Sequence, residues 1–348
     1  MEKKIPNRNN NFDIIRLIAA CFVVFGHVYP LSGTAGGPGV LGMGVHTFGV
    51  KVFFFLSGYL VLDSWLRDPD LYNYFLRRFL RFFPALIVVV MITVLIIGPL
   101  FTTLSILDYF NDPRLVYYPL NIFLYINYYL PGVFEDNPIK NAANGSFWTL
   151  PVEFFAYCLV PLIFSNRIRL LVGIKGAIAL IVAIGLDHWL RKSPDSHLII
   201  YATDIYPSSQ LLVFFAIGTF LRSLQLSSQI DARHFIGALA IWSVIPRGMI
   251  DTSWFAYVFV PLATLAFATA PKINFLKGND VSYGIYLWAF PVSQCIWSFG
   301  FGRGDAFVMG VLTILVTVPI AFLSWRIIET PALKLKPVAK SDLVQSTA

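Results

Sequence analysis

Apolar residues run in blocks of about twenty along almost the whole chain, and polar residues gather in short stretches between them. A helix needs ~20 mostly apolar residues to cross the hydrocarbon of a bilayer. Blocks of this kind occupy roughly 12–31, 46–66, 82–102, 147–165, 169–187, 209–224, 234–250, 253–270, 282–302 and 306–328. The pattern predicts an all-α, polytopic membrane protein with about ten transmembrane helices. The sixth, seventh and eighth blocks are short or polar at their edges. A further stretch at 115–130 (LVYYPLNIFLYINYYL) is rich in Tyr and broken by Pro119, and reads as interfacial or re-entrant. No internal repeat or low-complexity linker divides the chain. The expected organisation is a cytoplasmic N-terminal tail at 1–11, one membrane domain at 12–330 and a short, disordered cytoplasmic C-terminal tail at 331–348.

Lys3, Lys4 and Arg8 ahead of the first block are also how a signal peptide opens. That block is too long for one, begins with Asp13 and Arg16, and is followed by further membrane segments. With the N-terminus inside, alternate loops hold sixteen basic residues on the inner side and six on the outer. The bias places both termini in the cytoplasm, and it needs an even number of spans.

Composition agrees with the pattern. The 348 residues are 57% hydrophobic and only 13% charged, about half the charged share of a soluble domain. A soluble enzyme, a disordered chain and a secreted disulfide scaffold are excluded. The net charge of +7 belongs to cytoplasmic loops rather than to nucleic-acid binding. Cys21, Cys158 and Cys295 lie in apolar stretches without metal-like spacing, and read as packed, unpaired thiols.

The informative residues are the polar ones inside apolar blocks, where an ionisable group costs ~3 kcal/mol or more. Arg16 and His27 stand eleven residues apart in the first block. That is about three turns, so they share a face some 16 Å apart along the axis. Each also has a plain reading, Arg16 reaching the inner headgroups and His27 satisfied in the core. Glu153, in FWTLPVEFFAY, falls in a first helical turn behind Pro151, where the helix dipole favours a carboxylate. Topology places that turn in the outer half of the membrane, the depth expected for His27. A carboxylate beside an imidazole fixes its tautomer and suits it to act as a general base.

Arg77, Arg78 and Arg81 (YFLRRFLRFFP) form a second cluster at the inner end of the third block. They read either as ordinary inside charge or as an anion site built from guanidinium forks. Ser57 and Gly58 sit mid-span in VFFFLSGYL, as close-packing residues, with Ser57 also open as a nucleophile without the Gly-x-Ser-x-Gly turn or as an oxyanion donor. No histidine opens a His-x4-Asp pattern, no Gly-rich phosphate loop is present, and no ligand set has metal-binding spacing.

Together these pieces resemble the acyltransferase-3 family of membrane O-acyltransferases. FDIIRLIAACFVVFGH matches its Arg-x10-His motif, KVFFFLSGYL its Phe-Phe-x-x-Ser-Gly segment, and Arg78 with Arg81 its Arg-x-x-Arg pair. FWTLPVEFFAY, SYGIYLWAFPV and WRIIETP, the last carrying Glu329, follow in the family's order. The resemblance covers about Phe12 to Pro331. One departure is Ala289, where many members have histidine; another is the expected lack of the extracytoplasmic hydrolase-like domain fused to some members.

The resemblance implies an enzyme of the bacterial inner (plasma) membrane. It would move an acyl group, acetyl by expectation, from cytoplasmic acyl-CoA to a hydroxyl of a surface polysaccharide or lipid-linked glycan. In that reading His27 is the base and Glu153 its helper. Arg16, Arg78 and Arg81 hold the donor phosphates, and Ser57, Trp148 and Tyr283 meet substrate. Acyl-CoA is a co-substrate; no permanently bound cofactor, metal or nucleic acid is expected. Direct transfer and an acyl-enzyme on Ser57 or a cysteine both stay open. So do two rivals: a secondary transporter of a small anionic or sugar-derived solute, and a scaffold or sensor that has lost its chemistry.

Overall fold

The computed structural model describes residues 11–165, 168–192, 198–225, 230–244, 252–271, 273, 276 and 278–337. The predicted N-terminal tail, apart from Asn11, and residues 338–348 of the predicted C-terminal tail lie outside these. Among the described residues, helices dominate: α1 (Phe12–Ser32), α2 (Val45–Arg67), α3 (Leu71–Phe101), α4 (Thr149–Ile163), α5 (Arg169–Arg191), α6 (Ile205–Leu224), α7 (Ala232–Val244), α8 (Thr252–Ala268), α9 (Ser282–Ser298) and α10 (Ala306–Lys334). Two small antiparallel hairpins, β1 (Gly39–Val40) with β2 (Met43–Gly44) and β3 (Ile199–Ile200) with β4 (Thr203–Asp204), lead into α2 and α6.

A helix thus lies in each predicted block. Six of them are long and apolar enough to cross a membrane: α1, α2, α3, α4 with its leading turn, α5 and α10. The described parts of α7, α8 and α9 are shorter, at 13, 17 and 17 residues, and α9 differs from the rest in its surroundings. It is buried along most of its length and carries Ser282, Ser293 and Gln294 inside the bundle. A helix enclosed by protein can hold polar groups that its neighbours satisfy. α5 is the opposite case, with Leu170, Ile174, Ile178, Ile181 and Val182 exposed along its outer side.

Two boundaries differ from the expectation. α3 begins at Leu71, not near 82, because its charged first turns are satisfied. Asp70 accepts from the Asn73 N–H at 2.9 Å, and buried Arg77 donates to Asp68 at 2.7 Å. α10 runs on to Lys334, past the predicted domain end at 330, after a π-helical turn at Trp325–Glu329. The stretch 115–130 holds no long helix; it is a 3-10 helix over Pro113–Phe123 followed by irregular chain.

Glycines set the closest helix contacts. A Cβ on Gly58 would lie 2.0 Å from the carbonyl oxygen of Phe215, and one on Gly218 would lie 2.2 Å from that of Phe55. α2 and α6 therefore touch backbone to backbone, as small residues permit in membrane helix pairs. Beside this contact, Trp65 donates to the Phe164 carbonyl at 2.8 Å and Tyr74 to the Tyr157 carbonyl at 2.7 Å. These bonds lay α4 along α2 and α3.

Candidate active site

The bundle has two chemically distinct ends. One carries arginine and acid. Arg16 donates to Asp280 at 3.2 Å and to Asp13 at 3.2 Å, while Arg81 donates to Asp280 at 2.6 Å and to Glu329 at 3.4 Å. The π-helical turn of α10 is what turns Glu329 into this network. Two guanidiniums and three carboxylates tie α1, α3, α9 and α10 together here. Burial raises the carboxyl of Asp280, but Arg81 and Arg16 outweigh it and hold the group below the ordinary carboxylate value.

Arg78 is different. It has no carboxylate within ion-pair distance among the described residues. Its guanidinium lies over the rings of Tyr74 and Tyr157, at 5.9 and 5.7 Å from their centroids. Its one hydrogen bond is a long one, 3.4 Å, to Ser64 Oγ, and its Nε is buried without a partner.

Deeper in the bundle, Ser57 on α2 donates to Glu153 Oε1 on α4 at 2.7 Å, and the Tyr157 hydroxyl donates to the same oxygen. The Arg78 guanidinium and the Glu153 carboxylate therefore meet opposite parts of one side chain, Tyr157. Tyr283 donates to the Phe82 carbonyl at 2.9 Å and lies under Arg81. Trp148 ends the 3-10 turn Gly145–Trp148 that opens α4, partly buried against the core.

The other end of the bundle holds His27. Its ring stacks on that of His46, with centroids 5.3 Å apart and planes 28° apart, and meets the edge of Phe290 at 5.9 Å. Neither imidazole has a hydrogen-bond partner among the described residues, and neither is fully buried. Arg16 and His27 do share a side of α1: one reaches Asp280 just before α9 and the other reaches Phe290 on it.

Glu153 does not meet His27. His46, which touches His27, and Ser57, which touches Glu153, are eleven residues apart on α2, about 16 Å along a helix. The structure does not bring the expected pair together; the topological estimate put the first turn of α4 in the outer half of the membrane, level with His27. Instead the chain before α4 descends along α9. Asn137 donates to Gln294 Oε1 at 2.7 Å, Gln294 donates to the Ile139 and Ala142 carbonyls at 2.8 Å each, and Asn144 donates to the Leu287 carbonyl at 2.8 Å. Asn144 also caps the turn through the Ser146 N–H. α4 thus begins beside the middle of α9, and Glu153 falls near mid-bundle.

Sequence reasoning missed His46 and Asp280. His46 stands at the opening of α2, behind a Gly-rich hairpin, and no spacing ties it to His27. Asp280 precedes α9 and looks like a loop acid. No group of three or more His, Cys, Asp or Glu among the described residues is placed to hold a metal.

A family model described as an acyltransferase domain, of the acyltransferase-3 type, matches residues 9–326. A nodulation protein 10 of Rhizobium leguminosarum bv. viciae is 30% identical, over 94% of this chain and 94% of its own length. An O-acetyl transferase of Shigella phage Sf6 is 27% identical, over 93% of this chain and 96% of its own. No solved structure matches.

Proposed function

This chain belongs to the acyltransferase-3 family and is an acyltransferase, and from that membership we propose that it transfers acetyl from acetyl-CoA to a hydroxyl of a surface or lipid-linked glycan. In this reading the arginine end faces the cytoplasm, which the sixteen-to-six bias of basic residues in alternate loops supports. In the same reading each of the ten apolar blocks, rather than its described helix alone, carries one crossing of the bacterial inner membrane, and both termini are cytoplasmic.

One observation carries the reading. In an apolar bundle, an arginine without a carboxylate partner and a histidine without a hydrogen-bond partner among the described residues stand at opposite ends, with Ser57, Glu153 and Tyr157 between them. Coenzyme A has phosphates at one end, a thioester at the other and a slender arm between. Arg78 receives the phosphates, since its donors are the ones left over. Arg16 and Arg81 frame the entrance through Asp280. The arm passes Tyr283, Tyr157 and the Ser57–Glu153 pair, and Trp148 walls the passage. The thioester arrives at His27.

His27 takes the proton of the acceptor hydroxyl, and the oxygen attacks the thioester directly. Base catalysis of this kind supplies about 10²–10⁴-fold, and holding the two substrates together supplies much of the rest. Glu153 acts at the donor arm rather than on the imidazole, because its carboxylate is engaged by Ser57 and Tyr157.

The test uses purified protein in detergent, labelled acetyl-CoA and a lipid-linked glycan extract. Base-labile label in the glycan, abolished by His27→Ala, is the expected result. Accumulation of label only in sealed vesicles, with no covalent product, would replace the enzyme reading with a carrier.

A further inference from the structure

Base catalysis accounts for the acceptor hydroxyl but leaves the thioester oxygen unattended. As the acceptor attacks, that oxygen gains negative charge, and a donor must lie close to the base to hold it. Against the His27 ring lie two other rings, the apolar edge of Phe290 and the imidazole of His46.

The seat of His46 is built for that ring. A Cβ on Gly26 would lie 2.5 Å from His46 Cβ and 2.6 Å from Nδ1, and a Cβ on Gly44 would lie 2.5 Å from Cε1 and 2.9 Å from Nδ1. Two glycines, on α1 and just ahead of α2, leave room for the imidazole where any side chain at either position would collide with it. Its Nδ1 edge rests against this notch. Nε2 is further from the Gly44 position, at 3.4 Å, and is not among the atoms nearest the Gly26 position. His46 also lies in the first turn of α2, whose N-cap, Gly44, offers no capping side chain. The helix dipole favours negative charge at such an end.

We propose that His46 is the oxyanion donor of the transfer, its Nε2–H hydrogen-bonding the thioester carbonyl oxygen. This rests on the reading of His27 as base. The acceptor oxygen bonds to the acyl carbon while its proton passes to His27, and the carbonyl electron pair moves onto the oxygen facing His46. Collapse re-forms the carbonyl and breaks the C–S bond. The thiolate leaves and recovers the proton from His27. The stack holds the two imidazoles 5.3 Å apart, close enough for base and oxyanion donor to act on one carbonyl.

The experiment compares His46→Phe, His46→Gln and His27→Ala in the purified enzyme with acetyl-CoA and the lipid-linked glycan extract, reading kcat and the acetyl-CoA KM separately. His46→Phe keeps a stacked ring without an N–H, and should lose about 10²–10³ in kcat with donor KM unchanged. His46→Gln returns an N–H near the Nε2 position and should stay within about tenfold of the parent. A His46→Phe enzyme with parental kcat overturns the proposal, since the ring alone is then what matters. So does a His46→Gln enzyme as slow as His46→Phe at parental donor KM. An active His27→Ala enzyme would instead remove the base reading, which separates the two failures.

Discussion

The Ser57 hydroxyl and the Glu153 carboxylate join α2 to α4 through a 2.7 Å hydrogen bond in the middle of the bundle. Gly58 makes that bond possible. By letting α6 press on one side of α2, it fixes the turn of α2 that sends Ser57 towards α4. Serine and glycine in one motif therefore do separate work, one holding a carboxylate and the other setting a helix contact.

If transfer is direct, Ser57→Ala should retain a tenth or more of parental turnover, since Tyr157 still engages Glu153. Incubation with labelled acetyl-CoA in the absence of acceptor should leave no label on the protein. Stable label on the parental enzyme that vanishes in Ser57→Ala would show an acyl-enzyme and end the direct scheme.

Arg78 and Arg81 should respond differently to truncation. Arg78→Ala removes a guanidinium that pairs with no acid, so the acetyl-CoA KM should rise about 10–100-fold, the worth of one charged hydrogen bond. Its melting temperature in detergent should stay close to the parent's. Arg81→Ala strips Glu329 of its cation and leaves Asp280 only Arg16, so melting should fall. Equal loss of stability in both variants would sink the distinction.

Asp280 gives the fold a calculable pH dependence. Its folded-state pKa lies below the ordinary carboxylate value because of Arg81 and Arg16. Such a group contributes stability above its unfolded pKa, about 3.9, and loses it as pH falls through the folded value. Asp280→Asn should therefore be about 3 kcal/mol less stable at pH 7. The gap to the parent should narrow below about pH 4. Thermal unfolding in detergent at pH 7 and 3.5 measures it, and a gap that stays constant removes Asp280 as the cause.

Glycine substitutions should sort by contact. Gly58→Ala puts a methyl 2.0 Å from the Phe215 carbonyl oxygen, so α2 and α6 must part at a cost of about 1–3 kcal/mol. Gly185→Ala, in α5, meets nothing within 4 Å and should be neutral or stabilising by up to about 1 kcal/mol. Melting curves of the two variants decide it; similar losses would mean that the backbone contact is not what Gly58 is for.

Much of this was open to reading in one dimension. Ten apolar blocks located ten helices, because exclusion from water acts on a helix through its local composition and needs no knowledge of its neighbours. Arg16 and His27 could be put on one side of α1, because helical periodicity is also local. The end of α10 and the start of α3 could not be foreseen. Each extends through charged residues whose partners, Glu329 with Arg81 and Asp68 with Arg77, become neighbours only after packing.

The meeting of His27 with His46, and of Glu153 with Ser57, belongs to the folded chain alone. Gly26 and Gly44 make room for the first, and the level of Glu153 follows from the segment before α4, held along α9 by Asn137, Asn144 and Gln294. Those are side-chain bonds between segments distant in the chain, with no repeat or spacing to announce them, and they set where α4 begins beside α9. Helix formation is a property of a stretch of sequence; the level at which a helix enters the bundle is a property of everything it leans on.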